Sequence, residues 1–141
     1  MGLFRRDKER APEPPRRRRV WAIHQEVLDL VKEAARESHP REFGATLRAE
    51  GGILTEVVLT PGTIGGERHT FINWHKLPID ASIVGTVHSH PGPYAVPSDA
   101  DKQVFNAFGH THIIIAEPYT DETWIAYDQN AEPVELDVVD D

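Results

Sequence analysis

Residues 87–101 read VHSHPGPYAVPSDAD, and this stretch decides both the architecture and the chemistry of the chain. The residues leading into it, 82–87 (SIVGTV), are β-branched and apolar, which predicts a buried strand. On an extended backbone, side chains two apart share a face, so His88 and His90 point the same way at the strand's end. Pro91, Gly92, Pro93 and Pro97 then predict a turn and a stiff loop. Ser98 stands as a helix N-cap with Asp101 three residues on, which puts Asp101 in the first helical turn, facing back toward the strand. His88, His90 and Asp101 are thus three candidate ligands for one divalent ion. Three protein ligands leave the fourth position of a tetrahedral site to water, the layout of a catalytic zinc centre.

Each piece also has an ordinary reading. Ser-x-x-Asp before an apolar helix is usually only a capping box, and an isolated His-x-His is usually a surface accident. The combination on one strand–loop–helix unit is what points to a metal.

The spacing His-x-His-Pro, six residues, Ser, two residues, Asp resembles that of the JAMM (MPN+) metalloproteases. The resemblance covers roughly residues 20–127, and the chain looks like a compact archaeal-type, deubiquitinase-like member with every motif position filled. Family members carry a glutamate on an early strand, and Glu42 in HPREFGATLRAE fills that place. The resemblance implies one zinc ion per chain held by His88, His90 and Asp101, with Glu42 as general base and Ser98 as a donor to the oxyanion. It implies a three-layer core like that of cytidine deaminases. It also implies an isopeptidase acting at the C-terminal tail of a ubiquitin-like modifier. The alternatives are an amidohydrolase or peptidase trimming a small group from a sulfur-carrier protein, and a non-catalytic MPN interaction module. A scaffold has no need of Glu42 or Ser98, which speaks against the last.

The rest of the chain is consistent with a small enzyme. Its 141 residues suit one domain with a core of its own. There are no cysteines, so thiolate ligands, disulfides and a cysteine nucleophile are excluded, and any zinc must be held by nitrogen and oxygen. No apolar run reaches membrane-spanning length and no signal peptide is visible, so a cytoplasmic protein is expected. Residues 1–19 carry eight basic and three acidic side chains, Pro-rich and almost without apolar groups, and read as a disordered head. Residues 20–141 form the expected catalytic domain. That body is strongly acidic, since the whole chain stands at −8 despite its basic head, which argues against a nucleic-acid substrate.

The periodicity predicts an α/β (α+β) fold, a mixed sheet flanked by helices. Strands are expected at 19–23, 42–50, 53–60, 82–87, 111–116, 123–127 and 134–139, with helices at 24–37 and 98–108. Gly51-Gly52 marks a hairpin. Residues 61–67 read as a Gly-rich loop, 69–73 as a further strand and 74–80 as a loop. Phe43, Ala45 and Leu47 alternate with Glu42, Gly44 and Thr46, so small residues share the face of Glu42. His110 and His112 form a second His-x-His without a readable carboxylate and are taken as structural. His24, His39, His69 and His75 read as surface or loop residues. Tyr94 and Trp74 are the aromatics best placed to touch substrate, although such residues more often pack.

Overall fold

A computed structural model describes residues 19–58 and 82–140. The head, 1–18, and the region 59–81 lie outside the described residues. The expectations for 61–80, His69, Trp74 and His75 fall there.

The chain enters on strand β1 (Ala22–His24) and passes directly into helix α1 (Gln25–Ser38). His24 caps the helix, its Nδ1 accepting from the Glu26 amide at 3.3 Å. Val27, Leu28, Val31 and Ala35 fall on one side at helical spacing and are buried. The helix stops at His39, whose ψ of 133° suits a residue preceding proline. Strands β2 (Gly44–Glu50) and β3 (Ile53–Val58) form the expected hairpin. Its turn has φ of 60° at Gly51 and 84° at Gly52, a left-handed pair that glycine adopts without steric cost.

Strand β4 (Ile83–His90) runs three residues beyond the end of its apolar run, because the ladder continues through both histidines. Helix α2 (Asp99–Ala107) and strand β5 (Thr111–Ala116) follow, then β6 (Trp124–Tyr127), β7 (Pro133–Val134) and β8 (Asp137–Val139). The single strand expected at 134–139 is therefore two short ones. β7 pairs with β6 and β8 with β1.

The eight strands form one mixed sheet in the order β7-β6-β5-β4-β2-β3-β1-β8. Its two outermost strands are adjacent in sequence, separated only by Glu135 and Leu136, so the sheet curls until its edges are within two residues' reach. β4 lies at the centre, antiparallel to β2 and parallel to β5. Alternation along these strands divides the interior. Phe43, Ala45, Leu47, Val87, Ile113 and Ile115 face α1 and build the larger core. Ile114, Ala116 and Tyr127 face the other way, against Phe105 of α2 and Ala95. The result is helix, sheet, helix: the expected three layers.

Two glycines let α2 return to β5 alongside β4. Gly109 has φ of 101°, and a Cβ there would stand 2.3 Å from the Val84 carbonyl oxygen. A Cβ on Gly85 would lie 1.5 Å from the Thr111 carbonyl oxygen. Backbone meets backbone at this crossing, and β4 is held in register at its foot.

Candidate metal centre

β4 delivers His88 and His90 to the α2 side of the sheet. Val87 packs into the α1 core, so its neighbour His88 must project the other way, and His90 with it. Across the ladder, Gly44 stands opposite His88. It has no side chain, so nothing from β2 projects beside the imidazole. Pairing continues past the last ladder residue: the Ser89 amide donates to the Phe43 carbonyl at 2.9 Å, and the Phe43 amide to Ser89 Oγ at 2.8 Å. Glu42 therefore runs on in the register of β2, two residues from Gly44, on the face of His88 and next to His90. Glu42 lies just before the strand rather than on it, a small correction to the expected boundary.

The third group comes from α2. Ser98 is the N-cap, and its Oγ accepts from the Asp101 amide at 3.0 Å. Asp101 Oδ2 in turn accepts from the Ser98 amide at 2.9 Å. The capping box is complete, and it also aims the carboxylate. Asp101 Oδ1 lies 3.2 Å from His88 Nε2, and Oδ2 lies 3.2 Å from His90 Nε2. The two Nε2 atoms are 3.1 Å apart. The ordinary and the chemical readings of Ser-x-x-Asp are thus one arrangement.

The stiff loop between β4 and α2 fixes the tautomer of His90. Its Nδ1 is 3.1 Å from the Tyr94 carbonyl. A carbonyl only accepts, so Nδ1 carries the proton and Nε2 presents its lone pair to the cluster. Ala95 is buried, and its carbonyl accepts from the Tyr127 hydroxyl, while Tyr94 and Val96 on either side are exposed.

These donors fit a small divalent cation. A tetrahedral ion with ligands at about 2.1 Å sets them roughly 3.4 Å from one another, close to the separations found here. The electrostatics agree. The Asp101 carboxylate faces His90 Nε2, the nitrogen left over once Nδ1 is committed to the Tyr94 carbonyl, so the arrangement asks for a positive charge between them: a metal ion, or in its absence a proton on Nε2. Burial alone would raise the Asp101 carboxyl, but hydrogen bonding with His88 and His90 and the Ser98 amide reverse this and hold it far below the usual carboxylate range. Burial alone would lower His90, but Asp101, the Tyr94 carbonyl and the charge of Glu42 outweigh it and leave the imidazole raised. Among the described residues, His88, His90 and Asp101 are the set of three or more ligand-type side chains whose donor atoms converge.

The second His-x-His pair is separate from this cluster. His112 is fully buried behind the site. Thr86 Oγ1 lies 2.8 Å from its Nδ1, and the Gly109 carbonyl 3.2 Å from its Nε2. Its ring stacks on Phe105 at 4.5 Å. His110 Nδ1 is 2.9 Å from Thr111 Oγ1. Both have structural surroundings, as expected.

Sequence reasoning missed Tyr119. It is only 3% exposed, and its hydroxyl donates to the His90 carbonyl at 3.3 Å and lies 2.8 Å from His39 Nδ1. No local pattern announces it, since it follows the end of β5 in a turn at φ of 63°.

The comparisons with known proteins agree with this geometry. The family model for prokaryotic homologs of the JAB domain matches residues 24–127. A protein of Haloferax volcanii named a probable metalloprotease is 38% identical over 135 residues, covering 89% of this chain and 83% of the relative. A solved structure described as JAMM, a metalloprotease-like zinc site in the proteasome and signalosome, superposes with a TM-score of 0.69 at 33% identity, covering 85% of this chain and 98% of the other. A JAB1/MPN domain protein from Archaeoglobus fulgidus gives the same TM-score at 34% identity, with coverage again 85% and 98%. A protein of Desulfitobacterium hafniense, 18% identical with a TM-score of 0.60 over 86% of this chain and 94% of its own, shares the fold. The chain belongs to the prokaryotic JAB-domain group of the JAMM/MPN family, a family of metallohydrolases.

Proposed function

We propose that the chain is a zinc-dependent isopeptidase that hydrolyses the amide bond at the C-terminal tail of a ubiquitin-like modifier protein in the cytoplasm. The observation that carries this reading is the convergence of His88, His90 and Asp101 on the face that also receives Glu42. His88, His90 and Asp101 would hold one zinc ion. When bound there, zinc supplies Lewis acidity, which activates water near neutral pH and polarises an amide carbonyl.

The chain's own groups account for the remaining steps. Glu42 takes no place among the three converging donors, so its carboxylate serves as the base. It accepts a proton from the attacking water and returns it to the leaving amine as the C–N bond breaks. Ser98 Oγ accepts from the Asp101 amide, and its own O–H would supply a donor to the developing oxyanion. Proline and glycine in the β4–α2 loop hold this donor relative to His90. No covalent intermediate is needed. A Gly-Gly tail suits such a site, because residues without side chains let the walls approach the scissile bond closely.

The test is hydrolysis of modifier conjugates, and of a Gly-Gly peptide joined to the ε-amine of lysine, with and without chelator. Cleavage abolished by chelator and restored by zinc is expected. Cleavage indifferent to chelator and to His88→Ala would exclude a metallohydrolase. Cleavage of short amino-acyl amides alone would favour trimming of a sulfur carrier over isopeptide hydrolysis.

A further inference from the structure

We propose that the buried Tyr119 hydroxyl is a positioning group that holds the Glu42 segment and the His90 strand end at a fixed separation. The assignment rests on the proposed roles of Glu42 and His90.

The phenol lies between the two halves of the site. On one side it donates to the main-chain carbonyl of His90, which follows His88 and Ser89 at the tip of β4. On the other it meets His39 Nδ1 at 2.8 Å, with the two rings edge-on at 5.7 Å. His39 is the C-cap of α1 and stands three residues before Glu42. A phenol hydrogen spent on the His90 carbonyl leaves the phenol oxygen to accept from His39 Nδ1–H. One hydroxyl therefore ties the segment that carries the base to the strand that carries the metal ligands.

The tyrosine itself is held on all sides. Its amide donates to the Ala116 carbonyl at 2.8 Å, and its own carbonyl accepts from Arg36 Nη2 of α1 at 2.7 Å. It sits in the left-handed region with φ of 63°, where a non-glycine side chain is seldom found. Its ring belongs to the larger core. A conformation of this kind persists only where the surroundings over-determine it. Elsewhere along the segment, the His39 amide reaches the Ala35 carbonyl at 3.1 Å, the Arg41 amide the Ser38 carbonyl at 2.8 Å, and Phe43 is bound to Ser89 as described. Removing the hydroxyl leaves the ring in the core and frees the 39–42 segment to drift from His90. A base must be positioned within a fraction of an ångström of its proton, so drift lowers turnover while the ligand triad stays intact.

Tyr119→Phe tests this, with His39→Phe as a second variant should the first not fold. In the metal-free protein, amide exchange at Phe43 and Ser89 is expected to accelerate about tenfold or more relative to α2 and β6. Zinc affinity is expected to stay within about threefold. On the Gly-Gly-lysine isopeptide, kcat is expected to fall about tenfold to a hundredfold with KM within about twofold. In a Glu42→Gln background, Tyr119→Phe is expected to cause no further loss, because it acts through Glu42. Unchanged exchange at Phe43 and Ser89 would overturn the proposal, as would an undiminished loss in the Glu42→Gln background. If Glu42→Gln alone retains full turnover, the proposed function fails instead, and the exchange measurement still decides the tether.

Discussion

His112 makes the protein acid-sensitive in a window that can be worked out from its surroundings. The imidazole is fully buried, stacked on Phe105. The Gly109 carbonyl takes the Nε2 proton, which leaves Nδ1 as acceptor for the Thr86 hydroxyl. Burial pushes its pKa from 6.5 down to about 4. The unfolded chain therefore binds a proton between pH 6.5 and 4 that the folded chain refuses. Stability from this residue is complete above pH 6.5 and is lost as pH falls toward 4. Between pH 7 and pH 5 the loss is about 2 kcal/mol. For a domain of this size that corresponds to about 5–10 °C in melting temperature. His90 acts in the opposite sense: its raised pKa contributes stability below the unfolded value that disappears as pH rises. Melting of chelator-treated wild type and His112→Asn at both pH values separates the two, since His90 is common to both. The wild type is expected to lose about 2 kcal/mol more than the variant on acidification. Equal losses in the two proteins would refute a buried neutral His112.

Three further outcomes are expected. His88→Ala and Asp101→Ala should each lose bound zinc, read by metal analysis after dialysis, because removing one of three donors leaves too few to hold the ion. Ser98→Ala should keep zinc yet unfold about 1 kcal/mol more easily through the lost cap, with turnover down about tenfold to a thousandfold, seen in paired melting and kinetic measurements. Gly85→Ala should cost about 3 kcal/mol or more in denaturant unfolding, because its Cβ meets the Thr111 backbone rather than a side chain that can give way.

The parts of the site that are local in sequence were legible there. Two histidines two apart on a strand must share a face, and Ser98 with Asp101 three residues later must form a cap if a helix follows. The alternation of Phe43, Ala45 and Leu47 with Glu42 and Gly44 put Glu42 on a face shared with small residues, while its role as base is implied only by the family resemblance. Strand ends were less legible. The ladder of β4 runs through His90 because Gly44 lies opposite His88 and Ala116 opposite His90, and polar residues conceal that in a hydropathy pattern. The C-terminal run divides because β6 and β1 claim different halves of it. Tyr119 was not legible at all. Its partner His39 is 80 residues away, and only the packing of α1 against the turn after β5 brings them together. His39 is exposed, as a surface or loop residue would be, and exposure says nothing of what its Nδ1 touches.

The central claim is that three side chains hold the metal and a fourth, Glu42, moves the proton. Glu42→Gln separates these roles, since glutamine keeps the shape and hydrogen bonding of the side chain but cannot accept a proton. Zinc per chain and turnover measured on the same preparation are the most direct test. One zinc per chain with turnover reduced about a hundredfold or more is expected. Loss of zinc would make Glu42 a ligand, and full turnover would place the base elsewhere; either result contradicts the assignment.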